Sequence, residues 1–174
     1  MKHLIPALLF LAALPAASIM WAQSPNDPIA TLIQTGNRKA ALARIQSGGD
    51  VNQAQADGTR PIHWAVFKVD YELIQALLAK KANVNVTNEF GAAPIAMAAE
   101  LADARMVKLL LDAGAEPEGV DADGQTALML AVRTGDLAVV NLLLNAGANV
   151  NTIEKFHHQT ALMWATEEIG RAHV

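Results

Sequence analysis

The chain has 174 residues, enough for one domain, and its composition of 52% hydrophobic but only 5% aromatic residues predicts a helical core of aliphatic side chains. The net charge of −4 leaves no basic surplus to attract phosphate groups, so nucleic acid is not expected as a partner. The absence of cysteine excludes disulfides, thiolate nucleophiles and cysteine-ligated zinc sites.

The first predicted element is a secretory signal peptide over residues 1–22. Lys2 precedes an uncharged run from Leu4 to Trp21 that is rich in leucine and alanine, the order of charged and apolar regions in such a peptide. We expect cleavage after Ala22, with cleavage near Ala17 or Ser18 as the alternative. An uncleaved membrane anchor is a further alternative, because the apolar run is just long enough to span a bilayer.

These features predict a secreted or periplasmic protein, with no membrane attachment once the signal peptide is removed. The lack of cysteine fits export to an oxidising compartment. Residues 23–28 are polar and proline-containing, which indicates a short linker between the signal peptide and the folded domain.

A repeat of 33 residues organises the rest of the chain. Paired leucines, a turn glycine and an apolar helix residue all recur at this interval. A period of this length indicates a stacked array of helical units. The recurring residues are Leu77-Leu78, Leu110-Leu111 and Leu143-Leu144; Gly58, Gly91 and Gly124; and Ile74, Val107 and Val140.

Local signals within each unit predict a turn followed by two helices. The Asp57-Gly58 pair is typical of a tight turn, and Pro61 suits the first turn of a helix, where its missing N–H is not needed. The second helix gathers Leu73, Ile74, Leu77 and Leu78 on one face, which the next unit must cover. At the end of this helix, where a left-handed residue is expected, Lys81 stands in place of the glycine of other units.

Each unit also contains a similar six-residue motif. The copies are Arg60-Pro61-Ile62-His63-Trp64-Ala65, Ala93-Pro94-Ile95-Ala96-Met97-Ala98, Thr126-Ala127-Leu128-Met129-Leu130-Ala131 and, one residue late, Thr160-Ala161-Leu162-Met163-Trp164-Ala165. These motifs resemble the T-P-L-H-x-A signature of the ankyrin-repeat family over about residues 29–168. The resemblance implies an all-α solenoid of stacked helix-turn-helix units with short β-hairpin or turn fingers, in which His63 hydrogen-bonds a hairpin to the helices.

The predicted ankyrin-repeat domain covers residues 29–174 and differs at its two ends. It comprises an N-terminal capping repeat over 29–55, full repeats over 56–88, 89–121 and 122–154, and an incomplete repeat over 155–174. The capping repeat lacks the six-residue motif and places Arg44 at a leucine position, which is typical of a polar terminal repeat.

The incomplete repeat stops before its second helix, so we expect the natural protein to continue. The final residues, from Glu168 to Val174, match the translation of a sequencing adapter and are expected not to be native. The alternative is a natural helix that has diverged.

No residue pattern indicates catalysis, a cofactor or a metal. His157 and His158 are adjacent, so their side chains point apart, and no acidic or histidine partner is spaced to complete a metal site. Carboxylates such as Glu100, Asp103 and Asp136 stand alone rather than as an acid–base pair, and no nucleophile has a triad setting. We therefore predict a protein that is not an enzyme.

The resemblance implies instead a protein partner that binds the finger tips and the exposed inner surface of the first helices. The best anchor candidates are Phe67, Phe90, Leu101 and Arg133, because exposed aromatic residues and arginine are typical of protein interfaces. Packing of Phe67 and Leu101 between neighbouring helices is the alternative. The candidate residues are Asp57, Thr59, Phe67, Lys68, Glu89, Phe90, Glu100, Leu101, Asp123, Gln125, Arg133 and Thr134.

The leading functional prediction is a monomeric interaction scaffold in the periplasm or the extracellular space. The first alternative is the N-terminal region of a longer enzyme or electron-transfer protein whose functional domain follows the repeats. The second is a structural anchor held by an uncleaved N-terminal helix.

Overall fold

The computed structural model describes residues 27–172, with side chains described to Thr166, and these residues form a stack of helix pairs. The predicted all-α solenoid is confirmed. The predicted signal peptide, linker residues 23–26 and the last two residues lie outside the described part. The helices are α1 (Ile29–Gln34), α2 (Arg38–Gln46), α3 (Pro61–Phe67), α4 (Tyr71–Ala79), α5 (Pro94–Glu100), α6 (Ala104–Asp112), α7 (Ala127–Thr134), α8 (Leu137–Asn145) and α9 (Ala161–Ala172).

The helices form two layers. The first helices of successive units, α1, α3, α5, α7 and α9, pack one on the next, and the second helices form the other layer, with α2 on α4 and α6 on α8. The second-helix residues Leu73, Ile74 and Leu77 are buried, as their spacing predicts. Burying one such side chain contributes about 1.5–3 kcal/mol to the free energy of unfolding. A single helix pair buries too few of them to be stable alone, so the stack is stabilised by the contacts between units.

Acidic or amide side chains cap the N-terminal ends of the second helices. Asn37, Asp70, Asp103 and Asp136 occupy the same repeat position, and each accepts a hydrogen bond from a backbone N–H in the first turn of its helix. Such caps satisfy donors that otherwise lack a partner. Two of these capping carboxylates also accept a hydrogen bond from a side chain of the preceding unit. Arg38 Nε donates to Asp70 at 2.5 Å, and the Tyr71 hydroxyl donates to Asp103.

Short turn fingers connect the helix pairs. Two backbone hydrogen bonds close each of the first three fingers, for example from the N–H of Asp121 to the carbonyl of Gln125 at 3.0 Å and from the N–H of Gly124 to the carbonyl of Asp121 at 3.1 Å. Within residues 27–172, the single β-bridge joins Val120 to Thr126, so the predicted hairpins are turns with minimal strand pairing.

A second set of hydrogen bonds joins the loops of neighbouring units. A side-chain oxygen in one loop accepts from the backbone N–H found 31 residues later, so each unit satisfies a donor of the next one. These bonds run from Asn83 N to Asn52 at 2.7 Å, from Glu116 N to Asn85 at 2.8 Å and from Asn149 N to Glu118 at 2.5 Å.

The two ends of the stack differ in polarity. At the N-terminal end, the second helix α2 buries Ala41 and Ile45, and the charged Arg44 is half-buried. At the C-terminal end, large apolar side chains such as Leu144 and Leu162 are exposed. The apolar stacking face of the last units is therefore open to solvent in the described part of the chain.

Candidate partner-binding surface

The finger tips carry four of the predicted binding residues. Phe90, Glu89 and Asp123 are exposed, whereas Asp57 is half-buried. The Asp57 carboxylate accepts from the N–H of Thr59 at 2.9 Å, and its carbonyl accepts from the N–H of Glu89 at 2.8 Å. Asp57 thus helps to shape the first finger and joins it to the second.

Thr59 does not reach the surface. It is only 6% exposed, and its hydroxyl lies 3.4 Å from the side-chain nitrogen of Asn88 in the next finger. Its side chain packs between two fingers rather than at a tip, so Thr59 is not exposed as a contact residue would be.

Acidic or amide side chains at one repeat position anchor three of the fingers. Asn88 and Asp121 each accept two backbone N–H bonds within fingers that close four residues later. The fourth finger is one residue longer, and there the longer side chain of Glu154 accepts from the N–H groups of Phe156, His157 and Gln159. The extra methylene of glutamate matches the extra residue of the loop.

The pKa of Glu154 is lowered from its ordinary value. Burial of the carboxyl group acts to raise this pKa, but the backbone N–H groups of the finger stabilise the charged form and prevail. The neighbouring His157, with its ring nitrogen 3.7 Å from the carboxylate, acts in the same direction. His157 and His158 lie in this exposed turn, as expected for a polar finger tip.

His63 joins a finger to the helices, as the resemblance implies. Its Nδ1 accepts from the N–H of Arg60 at 3.0 Å, so Nε2 carries the proton and donates to the carbonyl of Ala92 at 3.2 Å. Burial in this position lowers the pKa of His63 below its ordinary value and keeps the ring neutral.

Three predicted residues meet on neighbouring units of the first-helix layer. Arg133 donates to Glu100 at 3.1 Å and to Gln125 at 3.0 Å, and its guanidinium lies 5.8 Å from the centre of the Trp164 ring. Trp164 was not among the predicted binding residues, although it occupies the fifth position of its motif copy, as Trp64 does in the first copy. The arrangement presents an arginine held by three neighbours at the surface.

The other predicted residues lie where the first helices end. Phe67 is 60% exposed and Leu101 is 47% exposed, so neither is enclosed between helices. Phe67 makes an edge-to-face contact with Trp64, with ring centres 5.9 Å apart. Lys68 and Thr134 are also exposed. These side chains are available for contact with another molecule.

The described residues show little sign of other chemistry. Within residues 27–166, no group of three or more His, Asp and Glu side chains is placed to hold a metal ion. Between residues 27 and 172, every helix is too short or too polar to cross a bilayer.

Comparison with known families agrees with the repeat geometry. The family model for ankyrin repeats, in three copies, matches residues 62–154 and again residues 95–174. The chain belongs to the ankyrin-repeat family. Ankyrin repeats generally mediate protein–protein interaction. No curated protein sequence matches the chain significantly.

Membership of this family assigns different roles to the layer of first helices and the layer of second helices. In this ankyrin stack, the buried leucines of the second helices form stacking contacts between units, whereas the side chains of Phe67, Leu101 and Arg133 are exposed at the surface. The family thus directs attention to the exposed positions of the first helices and fingers, since function resides in sites carried by a fold.

Proposed function

We propose that the protein is an interaction scaffold that binds a protein partner through its first helices and finger tips, and that it acts by binding rather than by catalysis. The exposure of the large apolar side chains Phe67, Phe90 and Leu101 carries this proposal, because such residues are typical anchors of protein interfaces. The Arg133 cluster adds a polar contact beside them.

The proposed location is the periplasm or the extracellular space, where the protein acts as a monomer without membrane attachment. The pattern of residues 1–22 and the absence of cysteine support this location. Mass spectrometry of the exported protein tests it, and the expected N-terminal residue is Gln23. An intact N-terminus in the membrane fraction would contradict the proposal and favour an anchor.

Binding is tested with a partner taken from the same compartment. Cross-linking and mass spectrometry identify the candidate, and titration calorimetry measures its affinity for the purified protein. The double variant Phe67→Ala with Arg133→Ala should weaken binding at least about tenfold, because each interface anchor contributes on the order of 1–2 kcal/mol or more.

Leu137→Ala is the matched control, since Leu137 is an exposed leucine at the start of α8, in the second-helix layer. It should leave affinity unchanged. Equal affinity of the double variant and the wild type would show that the assigned surface is wrong, and failure to find any saturable protein partner would contradict the scaffold function itself.

A further inference from the structure

The four fingers each carry one residue at a shared tip position, and a carboxylate alternates there with a phenyl ring. These residues, spaced by 33, are Asp57, Phe90, Asp123 and Phe156. In the last three fingers, the N–H of the tip residue donates to the side chain two positions earlier, at 3.1 Å for Phe90, 2.9 Å for Asp123 and 2.5 Å for Phe156. The longer fourth finger therefore presents Phe156 from the same local geometry as the second and third fingers.

Direct contacts join each finger to the next one. The first three fingers are linked by hydrogen bonds of 2.8 Å from Glu89 N to Asp57 O and from Ala93 N to Val120 O. Between the third and fourth fingers, the side chain of Lys155 lies 3.2 Å from the position that a Cβ on Gly124 would take. The four tip residues thus form one continuous row, called the tip row from here on.

The fingers that carry the tip row are negative. With histidine taken as neutral, five carboxylates and two cations lie in residues 55–60, 88–93, 121–126 and 154–160. Glu89 and Asp123 are exposed, and among the described residues neither belongs to an ion pair. Of the two cations, Arg60 donates to the carbonyl of Asn52, and Lys155 offsets part of the charge beside the third finger. This surface therefore favours a positively charged partner segment.

The two phenyl rings of the tip row are open to contact. Phe90 is 63% exposed and Phe156 is 67% exposed. Exposed aromatic side chains are typical anchors of protein interfaces. Because Asp123 lies between these rings in the row, the surface offers two apolar contacts separated by one charged contact.

The spacing along the tip row matches that of an extended peptide. Equivalent residues of stacked units lie roughly 8–10 Å apart, the distance between packed helices. An extended chain advances about 3.1–3.3 Å per residue, so three of its residues span roughly 9–10 Å. An α-helix advances only about 4.5 Å in three residues. An extended segment laid along the fingers therefore brings every third side chain to a successive tip, whereas a helix does not.

We propose that the tip row binds an extended segment of a protein partner in which a cationic and an apolar side chain alternate at every third residue. This inference rests on the proposed function and names the class of partner sequence. The apolar side chains pack on Phe90 and Phe156, and a lysine or arginine pairs with Asp123 between them. A second cation lies at the end of the row, close to Asp57 and Glu89.

The test measures the binding of synthetic peptides to the purified protein by fluorescence anisotropy. The probe is Arg-Ser-Ser-Leu-Ser-Ser-Arg-Ser-Ser-Leu, in which charged and apolar residues alternate with a period of three. The comparison peptide, Arg-Leu-Arg-Leu-Ser-Ser-Ser-Ser-Ser-Ser, has the same composition and charge. The probe should bind at least about tenfold more tightly, because the comparison peptide cannot reach both rings at once.

Variants of the protein test the two kinds of contact. Phe90→Ala and Asp123→Asn should each weaken probe binding at least about fivefold. The matched controls are Phe67→Ala, which removes a phenyl ring of similar exposure at the end of α3, and Asp112→Asn, which removes an exposed carboxylate from α6. Both controls should leave the affinity unchanged. Lys155→Gln should strengthen probe binding, because it removes the cation that offsets the charge near Asp123.

Several outcomes would overturn the inference. Equal affinity for the two peptides would show that charge alone attracts them, and equal losses for Phe90→Ala and Phe67→Ala would show that the tip row is not the binding surface. If the native partner loses affinity for the Phe67→Ala, Arg133→Ala double variant but the probe does not bind, the inference is wrong and the scaffold function stands. Absence of a saturable native partner together with absence of probe binding would remove both.

Discussion

Leu128 and Leu162 occupy the same position of the six-residue motif, yet they lie in different environments. Leu128 is 3% exposed in α7, where α9 packs beside it, whereas Leu162 of α9 is 71% exposed. The methionine that follows each leucine shows the same contrast. In a repeat array, local sequence determines the helix, but the neighbouring unit determines which side chains form the core.

The largest expected effect comes from truncating these two leucines. Leu128→Ala should lower the free energy of unfolding by about 2–5 kcal/mol, because it leaves a cavity in a close-packed contact. Leu162→Ala should change it by no more than about 0.5 kcal/mol, since the side chain already contacts water. Urea denaturation monitored by circular dichroism measures both, and similar losses for the two variants would contradict the contrast.

A smaller effect is expected from the interior His63 as the pH falls. Its folded-state pKa is lowered, so the unfolded chain binds the proton more tightly than the folded chain does. The contribution of His63 to the free energy of unfolding is therefore fully present above the ordinary histidine pKa of about 6.5 and declines as the pH falls below it. Urea denaturation at pH 7.5 and pH 5.5 measures the decline.

The His63→Gln variant serves as the control for this pH dependence. It should be less stable than the wild type at pH 7.5, yet it should lose less stability than the wild type between the two pH values. An equal decline in both proteins would assign the pH dependence to another group.

The smallest and most local effect concerns the terminal finger. The folded-state pKa of Glu154 is also lowered. The stabilisation of the finger by the charged carboxylate is therefore fully present above the ordinary glutamate pKa of about 4.3. It is lost as the pH falls from that value through the lower folded-state pKa. Hydrogen exchange should show that the amides of Phe156 and His157 lose protection first as the pH falls from 5 to 3. Glu154→Gln should reduce their protection already at pH 6, and unchanged protection would contradict the anchoring role.

Much of the fold was predictable because independent signals agreed. The 33-residue period, the prolines at first helical turns and the leucine face of α4 all indicate the same elements, and the left-handed Lys81 is confirmed with a φ of 60°. The anchor residues of the fingers also recur every 33 residues, so the role of Glu154 was open to prediction from its longer loop.

The candidate binding surface was less predictable, because the exposure of a side chain depends on which neighbouring units pack against it. Glu100 and Arg133 occupy the same position in consecutive units, which suggests their proximity, but the contact of Arg133 with Trp164 depends on how the two units pack. Thr59 appeared polar and exposed, yet it is enclosed between fingers. Val69 has the character of a core residue, yet it is 43% exposed and has a φ of 54°.

The hydrogen bonds between neighbouring loops have a consequence for how such a gene changes in length. Because Asn52 and Asn85 each receive an amide 31 residues later, a deletion of residues 53–85 would place the amide of Glu116 at that same distance from Asn52. Unequal recombination that adds or removes whole units therefore preserves every loop contact. A gain or loss of another length changes this spacing, and the backbone donors then need a new acceptor, as the longer fourth finger has in the longer side chain of Glu154.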